Sequence, residues 1–160
     1  AVASVGMTVP SLALLALLLI VFGLGVTPSV TMLAFYATLP ILTSAIVGLQ
    51  AVPPALVEAA RGLGMPRWRV LATVELPNAW PVILTGIRVS TQLVVGVATV
   101  VAYVLGPGLG SLIFSGLARL GGAGALESAL VGTVLVVAVA LVLDGLLVLL
   151  GRLTVSKGLR

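Results

Sequence analysis

Few side chains in this sequence could support chemistry, and the charged ones concentrate in one stretch. Two carboxylates and three arginines lie between Glu58 and Glu75, whereas the flanking sequence is almost wholly apolar. A carboxylate such as Glu58 on an exposed helix can accept a charge-assisted hydrogen bond from an arginine of another protein. The stretch is therefore either a surface for a soluble partner or a plain connection between two helices.

The residue types argue against catalysis by this chain. Cysteine and histidine are absent, which excludes thiol chemistry and would leave a zinc site dependent on scattered carboxylates. The sequence has no glycine-rich loop with a lysine that would cradle phosphates, and no nucleophile, base and orienting group can be assembled. We expect a protein that is not an enzyme and that has no cofactor of its own.

The composition is that of a membrane protein. The chain is 61% hydrophobic and 8% charged, with a mean hydropathy of +1.35. A soluble domain of this size could not bury so much apolar surface behind so few polar groups. An all-α integral membrane protein is therefore predicted. Its net charge of +4 comes from basic residues at membrane boundaries, so we expect contact with membrane lipid and not with nucleic acid.

Four hydrophobic runs approach the length of about 20 residues that a helix needs to cross a bilayer. They predict one transmembrane domain over residues 1–160, with spans at about 8–24, 29–49, 81–105 and 126–150. Pro40 should kink the second span, because it cannot donate to the helical ladder. The chain begins without methionine or a signal peptide, and we expect further sequence before it.

The polar segment, residues 50–80, predicts a helix, a tight turn and a second helix outside the bilayer. Prolines at 53 and 54 suit a helix start, and glycines at 62 and 64 can end that helix and allow a positive φ. Pro66 is expected to open a second short helix through Val74, and Pro77 to end it. Tryptophans at 68 and 80 are placed for the boundary between water and lipid headgroups.

Glycine clusters interrupt the chain over residues 106–124. The apolar stretch 111–120 between them is too short to cross a bilayer. We predict a re-entrant or interfacial half-helix there, and an exposed loop is the alternative. Gly106, Gly108 and Gly110, with Tyr103 just before them, are candidates for a mobile gate or pathway element. Structural packing is the competing interpretation of these residues.

Two charges, Arg88 and Asp144, fall inside predicted spans, each about 10 Å or more from the nearer boundary. A charge at the centre of a span costs about 2.5 to 3.5 kcal/mol on insertion scales. We hypothesise that Arg88 and Asp144 pair and pin the third span to the fourth. The alternative is that Arg88 reaches the membrane surface unpaired. Small residues on the third span are predicted to face the bundle; they are Gly86, Ser90, Ala98, Ala102 and Gly106.

The distribution of basic residues predicts the topology. Six of them fall in the polar segment and the C-terminal tail, whereas Arg119 lies alone on the opposite side. The positive-inside rule places the polar segment and the tail in the cytoplasm.

At the polar segment the sequence resembles a known family. Glu58-Ala59-Ala60, Gly64, Val74 and Leu76-Pro77 follow the Glu-Ala-Ala signature of permease subunits in bacterial binding-protein-dependent ABC importers, with Val74 in place of the family's isoleucine. In that family the loop forms coupling helices that seat in a groove on the cytosolic ATPase. The resemblance implies an ATPase-coupling role for Glu58, Ala59, Ala60, Arg61, Gly64, Leu76 and Pro77. Physically, Ala59 and Ala60 leave room for close approach, and Gly64 supplies the turn.

Nearly the whole chain resembles the osmoprotectant branch of that family, which handles glycine betaine, choline, carnitine or proline. The similar stretches are Thr8 to Leu14, Gly86-Ile87-Arg88, Gly106 to Ile113 and Leu153 to Leu159. The resemblance implies a permease of the bacterial inner membrane that alternates between inward and outward openings. Its implied partners are cytosolic ABC ATPase subunits that bind the ATP, a second permease that is identical or homologous, and an extracytoplasmic substrate-binding protein. Relatives usually carry additional N-terminal transmembrane helices.

Two other interpretations remain open from the sequence. One is an importer of another small solute, such as methionine or a phosphonate, and the other is a membrane scaffold that docks a cytosolic protein without transporting anything. A homodimer and a heterodimer are both consistent with the sequence, and so are a fused and a separate binding protein. The sequence does not identify the pore-lining residues.

Overall fold

A computed structural model of the chain describes residues 9–105 and 108–155. These residues form helices joined by short turns, and no strand occurs among them. In chain order the elements are α1 (Ser11–Phe22), α2 (Val26–Gln50), α3 (Pro54–Gly62), α4 (Arg67–Val70), a π-helical turn (Leu71–Glu75), α5 (Leu76–Leu105), α6 (Leu109–Ala118) and α7 (Ala125–Thr154). The predicted all-α fold class is confirmed.

Helix α5 is the centre of the bundle. It contacts α1, α2, α6 and α7, and its most extensive packing is against α2. A buried apolar cluster joins α1, α2 and α5, and it consists of Leu15, Met32, Tyr36 and Val101. A movement of α5 would therefore be felt by all the other long helices.

The contact between α2 and α5 is close because small residues face it. A Cβ atom at Gly86 would overlap the side chain of Ser44 and lie 2.9 Å from the carbonyl oxygen of Pro40. Four residues further along α5, the buried hydroxyl of Ser90 donates a 2.7 Å hydrogen bond to the carbonyl of Ala37. In lipid, where no hydrophobic exclusion drives helices together, such close backbone approach is a main source of association energy.

Gly86→Ala is expected to destabilise the folded protein by about 1 to 3 kcal/mol, the usual cost of forcing a methyl group into filled space. The matched control is Gly96→Ala on the same helix, since a Cβ atom there meets nothing within 4 Å. Thermal denaturation of the detergent-solubilised protein measures both changes. Equal midpoints for the two variants would show that the α2–α5 contact is not tight at Gly86.

Three helical runs in the described part of the chain are long and apolar enough to cross a membrane, namely Val26–Gln50, Arg67–Val104 and Ala125–Thr154. The predicted first span, 8–24, is not among them, because α1 has 12 residues and measures about 18 Å against a hydrocarbon core of about 30 Å. The other three predicted spans correspond to α2, α5 and α7. Helix α2 continues through Pro40.

The prediction that Pro77 ends a separate helix is wrong. The chain is helical without interruption from Arg67 to Leu105, through the π-helical turn and into α5. Leu76 donates its N–H to the carbonyl of Leu71, five residues back, so the hydrogen-bond register changes just before the proline. Pro77 is then the second residue of α5, a position where the missing N–H and the fixed φ cost little. The polar segment is therefore continuous with the central helix.

Helix α6 is a short helix that lies against both α5 and α7. Its first turn rests on α5, where a Cβ atom at Gly110 would overlap the backbone of Thr99. Thr99 lies about 9 Å before the end of α5, so α6 starts beside the body of that helix. Gly116 packs on Ala129 of α7, and Gly132 of α7 packs on α6. With 10 residues, α6 is the half-helix that the glycine pattern predicted, over 109–118 in place of 111–120.

Candidate functional site

The polar segment is a small folded unit with an apolar underside. Helix α3 begins at Pro54 after Pro53, and its Val57 packs against a buried cluster at the base of α2 and α5 that contains Val52, Ala79 and Ile83. Ala60, one turn further on, is only 5% exposed. The expectation that Ala60 leaves room for a partner is therefore corrected, because its methyl group faces the protein's own interior. Ala59 is the exposed member of the pair.

The turn after α3 is fixed by backbone hydrogen bonds. Gly64 has φ +77°, donates its N–H to the carbonyl of Arg61, and is followed by Met65, which donates to the carbonyl of Ala60. This pair of bonds is a Schellman motif, which requires a left-handed residue at the position of Gly64. The signature glycine and alanine thus have a structural role, since they set the direction in which the chain leaves α3.

Gly64→Ala is expected to cost about 1 to 2 kcal/mol, the penalty for a β-carbon in the left-handed region. A Cβ atom at Gly64 meets nothing within 4 Å, so the effect is one of backbone conformation alone. Gly64→Asn is the matched control, because asparagine tolerates this conformation. Limited proteolysis at the turn should be faster for the alanine variant than for the asparagine variant. Equal rates would show that the left-handed turn is not required.

The outer surface of the polar segment carries charge and exposed apolar side chains together. Glu58 and Arg61 are exposed on α3, while Leu63 is 78% and Trp68 70% exposed. Among the residues that the structure describes, none forms an ion pair with Glu58. Exposed tryptophan is enriched at protein-binding surfaces, and a carboxylate without an ion-pair partner can accept a charge-assisted hydrogen bond from an arginine of another protein. Leu76 and Pro77 are exposed at its membrane end.

Arg88 and Asp144 are brought together by α5 and α7. The Nε and Nη2 groups of Arg88 donate to the two carboxylate oxygens of Asp144, at 2.9 and 2.8 Å. Gln92 lies 3.4 Å from the same carboxylate through its Nε2. The sequence hypothesis named the two charges but missed Gln92, although its spacing of four residues from Arg88 places it on the same helix face.

The candidate gate residues lie where α5 gives way to α6. Gly106 is outside the described residues. The aromatic rings of Tyr103 and Phe114 are 4.4 Å apart, so Tyr103 links the end of α5 to the half-helix. Gly108 and Gly110 line a cavity of about 470 Å³ between α2, α5, α6 and α7, whose walls are mostly apolar. Sequence reasoning missed the contact between the two aromatic rings, because the turn between α5 and α6 decides whether these helices meet.

A comparison with protein-family models decides the family. Residues 1–155 match the model described as binding-protein-dependent transport system inner membrane component. The chain belongs to this family. It is therefore a multi-pass protein of the bacterial inner membrane and a permease component of a binding-protein-dependent transport system.

Curated relatives of this permease agree with the family. It is 41% identical over 149 residues to the osmoprotectant import permease protein OsmY of Salmonella typhimurium, covering 93% of this chain and 61% of that protein. It is 38% identical to the glycine betaine/carnitine/choline transport system permease protein OpuCB of Bacillus subtilis, covering 96% of this chain and 69% of that protein. The permease described here thus spans about two thirds of the length of these relatives.

The fold of the permease also has a counterpart among solved structures. A chain from the MetNI methionine ABC transporter, solved in inward-facing conformations, superposes with a TM-score of 0.72 at 21% identity, covering 90% of this chain and 69% of that chain. At that identity the likeness concerns the fold alone. It supports a shared helical arrangement of α1 to α7.

Proposed function

We propose that this chain is the permease subunit of an ATP-driven importer for osmoprotectants such as glycine betaine, choline, carnitine or proline. The observation that carries the proposal is the exposed surface of the polar segment, with Glu58 and Leu63 held outward by the turn at Gly64. Its similarity to permeases named for osmoprotectant, glycine betaine, carnitine and choline transport supports the solute class.

In this proposal ATP is bound and hydrolysed by separate cytosolic ATPase subunits. The polar segment seats on an ATPase, which moves it when ATP binding closes the ATPase pair. Because Arg67–Val70, the π-helical turn and α5 form one continuous helix, the displacement is delivered directly to the centre of the bundle. Helix α5 then carries α2, α6 and α7 between inward and outward openings. Each ligand shifts this equilibrium only by as much as its affinity differs between the two states.

The remaining partners follow from the same proposal. A second permease, identical or homologous, completes the path, and an extracytoplasmic binding protein selects the solute. Two ring contacts occur among the described aromatic side chains of the bundle, Phe35 with Tyr36 and Tyr103 with Phe114. Neither pair surrounds a cavity as an aromatic cage for a quaternary ammonium would. Solute selection therefore falls mainly to the binding protein, and the permease supplies a gated path.

The test is uptake into vesicles that contain the full-length permease, its ATPase and its binding protein. ATP-dependent accumulation of radiolabelled glycine betaine and choline is the expected result. Accumulation of methionine or a phosphonate instead would reject the solute class but keep the transport function. No accumulation of any of these solutes, with the ATPase still bound, would leave a membrane scaffold that docks a cytosolic protein.

The docking surface is tested separately by cysteine cross-linking, since the chain contains no native cysteine. Ala59→Cys should form an adduct with the ATPase in membranes, because residue 59 is exposed on α3. Ala60→Cys is the matched control, since the adjacent residue is buried and its thiol should not react. Equal reaction of both variants, or of neither, would reject docking through this face of α3.

A further inference from the structure

The membrane-embedded surface of α5 that other described helices leave uncovered contains polar side chains. Thr85, Val89, Gln92 and Gly96 are exposed at successive helical turns, and Arg88 lies beside this row with 41% of its side chain exposed. Between residues 130 and 150 the exposed side chains of α7 are by contrast apolar except for Thr133, whose hydroxyl donates to the carbonyl of Ala129 in its own helix. Polar and charged groups at such depth face protein or water, not lipid. The two surfaces of the bundle therefore have different surroundings.

The ion pair lies inside the hydrocarbon core. Asp144 precedes the end of α7 at Thr154 by ten residues, which is about 15 Å of a helix about 45 Å long. The hydrocarbon core is about 30 Å thick. Asp144 is therefore well below the headgroups, on the half of the membrane nearer the polar segment. Placing the pair there without water or a polar ligand would be costly.

The guanidinium group of Arg88 also has hydrogen-bond donors that do not bond to Asp144. Asp144 engages the Nε and Nη2 groups of Arg88, which leaves the Nη1 donors of the guanidinium for another acceptor. The side chain of Asp144 is 25% exposed, so a cation can approach its carboxylate. A fixed positive group and a fixed negative group side by side match the two ends of a small zwitterion.

A cavity connects this position with the polar-segment end of the bundle. It has a volume of about 290 Å³ between α5 and α7, with Arg88 at its inner end and Pro81, Arg152 and Val155 near the helix ends. A solute held at the pair would therefore have space on its cytoplasmic side.

We propose that Arg88 and Asp144, with Gln92 beside them, form a binding site within the membrane for a small zwitterion, whose carboxylate lies on Arg88 and whose ammonium group lies against Asp144. This inference rests on the proposed function. It implies that the solute passes along the exposed face of α5. A cationic solute without a carboxylate uses only the Asp144 half of the site. Preference between zwitterion and cation is thereby set in part by the permease.

The experiment compares uptake of glycine betaine, a zwitterion, with uptake of choline, a cation, in vesicles with the complete system. Arg88→Gln should lower the ratio of betaine to choline uptake by about tenfold, because only betaine loses a charge contact, and about 1.4 kcal/mol gives that factor. Asp144→Asn removes the ammonium contact of both solutes but leaves the charge of Arg88 unopposed, which repels the cation more than the zwitterion, so the ratio should rise. A pair that only fastens α5 to α7 predicts equal losses for both solutes. An unchanged ratio in both variants, or a shift in the same direction, would overturn the proposal.

Two further sets of variants separate this site from stability and from the proposed function. Thr154→Val removes another α5–α7 link, the 2.8 Å hydrogen bond donated by the Trp80 indole, and should leave the ratio unchanged. Gln92→Glu and Gln92→Lys keep both residues of the ion pair and add one charge beside it, so they should lower and raise the ratio respectively. Loss of both Gln92 variants from the assembled complex would overturn the proposal, because a charge is tolerated toward water but not toward lipid. If the unaltered system transports neither solute, the proposed function itself fails.

Discussion

Replacement of Glu58 by arginine is expected to remove most of the solute uptake while the protein remains in the membrane. Glu58 is exposed on α3, and no described residue pairs with it. Its carboxylate is therefore available to an arginine of the ATPase, and a hydrogen bond between charged groups contributes about 1.5 to 3 kcal/mol. The reversed charge adds repulsion to that loss. Uptake should fall at least about tenfold, and less ATPase should co-purify with the permease.

The control for this prediction is Glu75→Arg, which changes the net charge of the polar segment by the same amount. Glu75 lies in the π-helical turn and is half-buried, whereas Glu58 is exposed on α3. Its replacement should retain most of the uptake and the bound ATPase. Equal losses for the two variants would attribute the effect to overall charge and would contradict a specific contact at Glu58.

Gly110→Ala is expected to have the second largest effect, a loss of uptake of about tenfold or more with the ATPase still bound. The added methyl group would overlap the backbone of Thr99, and backbone cannot rotate out of the way as a side chain can. Helix α6 must therefore shift from α5, which also changes the cavity of about 470 Å³ that Gly110 lines. The polar segment lies at the other end of α5, so docking should be unaffected. Uptake and co-purification from the same membranes check both parts.

Two variants control for packing at Gly110. Gly108→Ala meets only the Cβ atom of Ala102, at 3.1 Å, and should impair uptake less. Gly86→Ala disturbs packing elsewhere on α5 and shows what a comparable loss of stability does to transport. If Gly110→Ala and Gly86→Ala reduce uptake and thermal stability in the same proportion, residues 108 and 110 serve packing and not gating.

The sequence was most informative where local chemistry decides the structure. Paired prolines predicted the start of α3, and Gly64 predicted a left-handed turn that the structure shows at φ +77°. Opposite charges in two apolar spans suggested the contact between Arg88 and Asp144, because an unpaired charge at that depth is costly. The docking of the polar segment and the gate at Gly108 and Gly110 stay predictions.

Errors occurred where neighbouring turns decide the outcome. A proline stops a helix if it must complete an α-helical hydrogen bond, but Pro77 follows a turn in which Leu76 already bonds to Leu71. The residue types from Leu71 to Glu75 do not predict this change of hydrogen-bond register. Ala60 was assigned to the outer face because small residues suit both contact with a partner and packing inside the chain. Only its burial in the folded chain separates the two.

The π-helical turn has a consequence for the proposed docking of an ATPase. Each residue in an α-helix advances the chain by about 100° around the axis, so the additional residue in that turn sets the direction in which Trp68, on the same continuous helix, projects from the bundle. A homologue one residue shorter between Gly64 and Pro77 would present this part of the surface about a quarter-turn away. Whether the ATPase of one such importer can replace that of another should therefore depend more on the number of residues between Gly64 and Pro77 than on overall sequence identity.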